Sequence, residues 1–320
     1  MSSLDALDPR VERILRCPSC GAVLASDASN LTCARGHRFA RHDGFVDLFV
    51  PSEDVSVRRT IESFGYEWTT FDAIQPEDEG WWRWYFADVD LTSLDGAIAL
   101  DAGCGKGRFT RFTAAHVDAI VAVDGSDAVH AAVRNLGDLG CATVVRADLL
   151  ALPFEPSSFD FVCCLGVLHH LPDPEEGFRR LVRLLRPGGQ VLIYVYSRTE
   201  GRGIRALGLR AATQLRRLTT RMPHRALRWL CAPLAALLYA AVVVPGGFGA
   251  RFGIGVLAGL PLQTYRGRPV RGLWLDTFDR LSAPLENRYR PEEIRAWFEG
   301  AGLHVDALRE DAGLFVLGRR

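Results

Sequence analysis

Lysine is almost missing from this chain: of 38 basic residues only Lys106 is not arginine. Net charge is missing too, since 38 acidic residues balance the basic ones, so the chain as a whole is not a general polyanion binder. The first residues, MSSLDALDPRVER, contain no apolar h-region, so no secretory leader is expected. Eight cysteines are present but not spread as a disulfide framework. Three lie at 17, 20 and 33, and Cys163 and Cys164 are adjacent, a usage that fits a reducing, cytoplasmic compartment. Internal repeats and low-complexity tails are absent. What remains is 320 residues, 48% of them apolar, enough for one large domain with a small appendage or for two domains.

The organisation follows from where apolar runs fall. Residues 1–50 read as a compact metal module and residues 51–96 as helical connectors rich in aromatics. Between 97 and 196, AIALD (97–101), AIVAVD (119–124), TVVRAD (143–148), FDFVCCLG (159–166) and QVLIYVY (190–196) alternate with helical patterns. This is the rhythm of a doubly wound parallel sheet. Residues 197–290 change character. Nine arginines face one acid, Glu200, over 197–228, and Ile204, Leu207, Ala211, Leu215 and Leu218 form one apolar stripe at helical spacing. Trp229–Ala250 then runs 22 residues without a charge. Its length suits a membrane span, but Pro233, Pro245, Gly246, Gly247 and Gly249 should break one, so a buried lid helix is expected and a membrane-dipping segment is the lesser reading. Residues 291–320 read as a last helix, opened by Pro291, and two strands. The expected fold is α/β: a Rossmann-like, mostly parallel seven-stranded sheet with helices on both faces, a zinc ribbon before it and a helical insert before its last strands.

Chemistry concentrates in AIALDAGCGKGRF (97–109). A strand ends in Asp101; Gly103, Gly105 and Gly107 then allow a sharp turn and close approach to a ligand, and a helix begins. A dinucleotide fingerprint needs glycine at 108, where Arg108 stands. An acid ahead of the loop disfavours pyrophosphate and suits an ammonium group, such as that of S-adenosylmethionine (SAM). Asp124, closing the second strand, can accept from ribose hydroxyls. Asp148 follows the third strand. Taken singly, each acid reads as a cap or a solvated loop residue; it is the ordered set that is specific.

That set resembles the class I SAM-dependent methyltransferases, in particular the group containing ubiquinone/menaquinone-type methyltransferases, over about residues 97–196. The resemblance implies that the loop 101–107 holds the methionine part and Asp124 the ribose. It also implies that Asp148 and Leu149 lie near the adenine, and Leu165 beside the methionine part.

Cys17-Pro-Ser-Cys20 and Cys33-Ala-Arg-Gly-His37 give C-x2-C-x12-C-x3-H, a closed four-ligand set for a structural zinc ion, with His42 a spare candidate. This head resembles that of the zinc-ribbon guanine-N1 rRNA methyltransferases and the zinc-ribbon activator subunit of several methyltransferases.

His169 and His170 follow the fourth strand, where a base would stand, although packing and turn-capping explain them as well. The loop LGVLHH lacks the Asn/Asp-Pro-Pro-aromatic signature of exocyclic base methylation, which favours carbon or oxygen acceptors. Tyr66 and Trp68 are the aromatics expected to close over the cofactor or stack an acceptor ring; otherwise SFGYEWTTF and WWRWYF form a hydrophobic cap. The expectation is a SAM-dependent methyltransferase with a small-molecule acceptor, methylated at carbon or oxygen; the basic stripe and apolar run of 197–290 suit a greasy acceptor, a membrane surface or RNA phosphates. An RNA methyltransferase guided by the zinc head and a non-catalytic SAM-binding scaffold are the alternatives. Residues 197–250 are a candidate peripheral membrane contact.

Overall fold

A computed structural model describes residues 7–27, 29–198 and 204–320. Of the features read from sequence, Met1–Ala6 of the polar N-terminus and Glu200 lie outside the described residues, as do the side chains of Ile204 and Leu207 in the basic stripe. By its contacts the chain divides into two units: residues 1–197 with 285–320, and Arg198–Pro284.

The first unit is built on one sheet. Its strands are β1 (Leu24–Ser26), β2 (Asn30–Cys33), β3 (Arg38–His42), β4 (Phe45–Asp47), β5 (Ile98–Ala102), β6 (Ala119–Asp124), β7 (Ala142–Arg146), β8 (Phe159–Leu165), β9 (Leu185–Val195), β10 (His304–Glu310) and β11 (Leu314–Arg319). They are ordered β1-β2-β3-β4-β7-β6-β5-β8-β9-β11-β10. The run β7-β6-β5-β8-β9 is parallel, and β11 enters antiparallel between β9 and β10. These strands read as continuous apolar runs because both faces are covered. Ile98, Leu100, Val121, Val123 and Val162 pack with Phe178 and Leu181 of helix Pro174–Leu184 and with Ile294 and Phe298 of helix Pro291–Gly300. On the opposite face Ala99, Ile120, Ala122, Phe161 and Cys163 meet Phe109, Val129 and Leu136, and also Trp82 and Phe86.

The expectation of a seven-stranded sheet is corrected to eleven strands among the described residues. The seven are present, but β4 pairs parallel with β7, Phe45 against Val144 through Asp47 against Arg146, and carries β1–β3 onto that edge. The physical reason is an unpaired sheet edge beside a strand whose Phe45 and Val46 are already apolar: pairing satisfies the β7 backbone and buries both side chains. The head is joined a second time, where Arg16 N donates to Pro153 O at 2.8 Å and Glu155 N to Ile14 O at 2.8 Å.

The second unit is helical: Ile204–Thr219, His224–Leu238, Val244–Phe252 and Val270–Ser282 are its longer helices. It has its own small core of Ala235, Val243, Tyr265 and Leu273. Two expectations fail here. The prolines and glycines of 229–250 do not break the run: His224–Phe252 is one continuous helix of 29 residues. A π-helical turn at Tyr239–Val243 stands directly before Pro245 and widens the helix where the ring would otherwise meet the carbonyl four residues back. Nor is this a buried helix, since only 22% of its most apolar window is enclosed. In helix Ile204–Thr219 the described part of the stripe also faces outward. Leu215 is 40% and Leu218 65% exposed, while Arg216 is buried and donates to Arg280 O at 2.9 Å.

Candidate functional site

The glycine loop leaves β5 and is tied to the neighbouring strand: Gly103 N and Cys104 N both donate to Val123 O at 2.8 Å. Gly103 (φ +85°) and Gly105 (φ +54°) occupy the left-handed region, and each is closely approached. A β-carbon on Gly103 would stand 2.4 Å from Val167 Cγ2, and one on Gly105 2.9 Å from Trp68 Nε1. Glycine is required on both counts.

Three acids stand at or just beyond the ends of the neighbouring strands β5, β6 and β7. Asp101, at the end of β5, is 2% exposed and accepts from Thr110 Oγ1 at 2.6 Å. Burial pushes its carboxyl up to about 6, against the hydrogen bonds from Thr110 and Cys163 that favour the charged form. Asp124, at the end of β6, accepts from Gly105 N at 2.9 Å, from Ser126 N at 2.9 Å and from Ser126 Oγ at 2.6 Å; burial raises its pKa also. Asp148, just beyond β7, opens the turn Leu149–Ala151 by accepting from Leu150 N at 2.9 Å, and burial raises it too. Leu149 and Leu165 are buried, and Leu165 closes β8. All the sequence-selected residues of this group therefore converge on the carboxyl ends of β5–β8, the face where doubly wound sheets bind ligands.

The helix Val55–Thr70 lies over these strand ends. Gly65 faces Ser126 and Trp68 faces Gly105. Trp68 also carries the charges of Lys106 and Arg108 against its ring, at 5.8 and 5.2 Å from the centroid. Tyr66 is half-buried on the same helix. The second aromatic segment is core: Trp82 is buried and donates to Thr113 Oγ1 at 3.0 Å, and Tyr85 packs on Tyr194.

His169 and His170 sit in a short 3₁₀ turn and are both buried. His170 Nδ1 lies 2.6 Å from Leu285 O, so that nitrogen carries the proton. His169 packs against Tyr196 with the rings tilted by 32° and their centroids 4.0 Å apart, and Phe64 meets His170 edge-on at 4.8 Å.

In the head, the donor atoms of Cys17, Cys20, Cys33 and His37 all lie within 4.8 Å of one another. Cys20 Sγ–Cys33 Sγ is 3.7 Å, and His37 Nδ1 is 3.5 Å from Cys17 Sγ and 3.4 Å from Cys33 Sγ. A tetrahedron with metal–sulfur bonds of about 2.3 Å and a metal–nitrogen bond of about 2.0 Å has edges of about 3.8 and 3.5 Å, so the donor set fits such an ion. His42 is not in the cluster; it stacks on Phe45.

Three residues that hold this site together were not picked as site residues from the sequence. Thr110 and Ser126 hold Asp101 and Asp124; the Asp-x-Ser spacing at 124–126 was the available signal. Lys106, the single lysine, is buried, donates to Ala73 O at 2.7 Å and pairs with Asp78 at 3.5 Å, fastening the glycine loop beneath the cap.

With this geometry in place, the relatives become informative. The family model described as "Methyltransferase domain" matches residues 100–193. This core is a class I SAM-dependent methyltransferase domain. The chain is 34% identical over 105 residues to a probable tRNA methyltransferase 9B of Mus musculus, covering 32% of this chain and 22% of that one. It is 28% identical over 243 residues to an uncharacterized Synechococcus protein, covering 69% and 52%. It is 35% identical over 114 residues to a ubiquinone biosynthesis O-methyltransferase of Pseudomonas putida, covering 34% and 48%. The chain thus spans about a fifth to a half of the lengths of these relatives.

Proposed function

We propose that this protein transfers a methyl group from SAM to a small, apolar acceptor at carbon or oxygen, in the cytoplasm. The observation that carries the reading is the placement of Asp101, Asp124 and Asp148 at or just beyond the ends of the neighbouring strands β5, β6 and β7, beside a loop that has no room for a β-carbon at Gly103 or Gly105. In this reading Asp101 and the loop 103–107 receive the methionine part, Asp124 the ribose, and Asp148 with Leu149 the adenine; Leu165 borders the methionine part. SAM supplies an electrophilic methyl on a sulfonium centre. The chain then has to position the acceptor and exclude water, and this requires no covalent intermediate. Trp68 shields the loop on its outer side.

His170 is the proposed general base. Nδ1 faces Leu285 O, so a proton taken from the acceptor would go to Nε2. His169 is proposed to orient it. The head is proposed to hold structural Zn²⁺ on Cys17, Cys20, Cys33 and His37, since four ligands leave no open position for chemistry.

The 34% identity to a probable tRNA methyltransferase favours a second reading, with RNA as acceptor. Incubating purified protein with methyl-labelled SAM and host extract separates the two. Label in the organic-soluble fraction supports the first, label in RNA replaces it with the second, and SAM binding without transfer to any fraction leaves only a SAM-binding scaffold.

A further inference from the structure

The helix His224–Phe252 has two apolar faces, and the fold uses one. Leu227, Cys231, Ala235 and Val243 are buried within the second unit. On the other side Trp229 (67% exposed), Leu237 (64%), Val244 (55%), Phe248 (53%) and Phe252 (60%) stand in solvent, and Val256 beyond the helix is 87% exposed. Between Trp229 and Phe252 this strip is about 35 Å long. From Trp229 to Ala250 it carries no charge. Solitary exposed apolar residues are ordinary, but an aligned row of this length marks a contact surface.

Charge identifies the occupant. The unit Arg198–Pro284 contains 14 arginines against three acids, Glu200, Asp276 and Asp279, a net charge of +11 in a chain that is neutral overall. Arg217, Arg221, Arg225, Arg251 and Arg266 are exposed and lie before or after the charge-free run. Trp229, at its start, lies beneath the guanidinium of Arg228, 5.4 Å from the ring centroid. An apolar row ended by tryptophan and arginine, on a strongly cationic unit, is complementary to a bilayer with anionic headgroups.

Length alone would let this helix span a membrane. Its packing does not. It is held by a helix, Val270–Ser282, that carries Arg271, Asp276, Asp279 and Arg280. Trp274 Nε1 donates to Arg228 O at 3.1 Å, and Tyr239 OH to Arg268 O at 2.9 Å. A partner of that composition stays in water, so the helix lies along the surface.

We propose that the second unit docks onto anionic membranes, laying the Trp229–Phe252 strip into the boundary between headgroups and acyl chains while its arginines bind lipid phosphates. The test is flotation of the full chain with phosphatidylcholine vesicles, with and without phosphatidylglycerol. Binding to the anionic vesicles is expected, at least about tenfold stronger than to neutral ones. F248E/F252E is expected to lower it about tenfold more, with an unchanged circular dichroism spectrum. L237E, elsewhere on the same row, must act alike, which keeps the test open if the double variant misfolds. The proposal is overturned by unchanged binding of the variants or by absence of vesicle binding. Salt-sensitive RNA binding or self-association in place of vesicle binding overturns it as well, as does resistance to alkaline carbonate extraction, which would mark a spanning helix.

Discussion

Asp101 is a carboxyl group enclosed by the sheet, with Thr110 as its hydroxyl donor and a pKa pushed by burial from an ordinary 3.8 to about 6. Between those values the folded protein holds a proton that the unfolded chain has released. Stability therefore falls as pH rises through this interval, and the penalty is complete above about 6, on the order of 3 kcal/mol. D101N, which keeps an oxygen for Thr110, is expected to melt several degrees higher than the parent at pH 8 without SAM. It should also lose Asp101's share of the dependence on pH between about 4 and 6, leaving that of Asp124 and Asp148. A lower melting temperature at pH 8 would refute this account. The same substitution removes the charge proposed to meet the SAM ammonium group, so affinity should drop at least about tenfold. In the parent, affinity should weaken as pH falls below about 6. G105A tests the loop independently: a β-carbon at φ +54° and 2.9 Å from Trp68 Nε1 must displace the backbone or the indole. SAM titration by calorimetry should show at least about a tenfold loss with the fold retained. These acids were legible in the sequence because each closes an apolar strand. Trp68 was legible, with Tyr66, as an aromatic expected to close over the cofactor; its contact with Gly105 in particular is a tertiary fact, joining positions 37 residues apart in the chain.

Among the elements, the strands of the core could be read because parallel strands covered on both faces are written as unbroken apolar runs. β4 could not: Phe45–Asp47 is three residues long and acquires its meaning only by pairing with β7. The helix across Pro233 and Pro245 was hidden for the opposite reason, local signals for a break being overridden by a π turn and by packing on Val270–Ser282. The pairing of β4 has a consequence for the metal module. Leu15, Leu31 and Leu48 of the head share one core with Val145, Phe154 and Phe159, so the cysteine cluster closes one end of the sheet itself. Metal analysis is expected to return one zinc per chain. Removing it by chelation, or with C33S, should lower the single melting transition of the first unit by on the order of 10 °C. Two separate transitions, with the core melting unchanged, would show the head to be an independent appendage.

At the scale of the molecule, charge is segregated between the units. The second carries +11, which leaves 24 basic and 35 acidic residues, a net −11, on the unit that contains the glycine loop. A polyanion is repelled by such a unit, so an RNA acceptor would have to be gathered by the arginines of the other; a neutral, apolar acceptor meets no such barrier. The two units also have separate cores, and the ends of the insertion leave the first unit near one another, where Ser197 pairs with Tyr289. Replacing 199–284 by a short flexible linker should therefore yield a folded protein that still binds SAM, with affinity within about threefold of the parent. It should have lost methyl transfer to the organic-soluble fraction. Calorimetric titration and label transfer on the same preparation separate the two effects. Retained transfer would locate acceptor recognition in the first unit, whereas loss of SAM binding would mean that the insertion is needed to build the cofactor site.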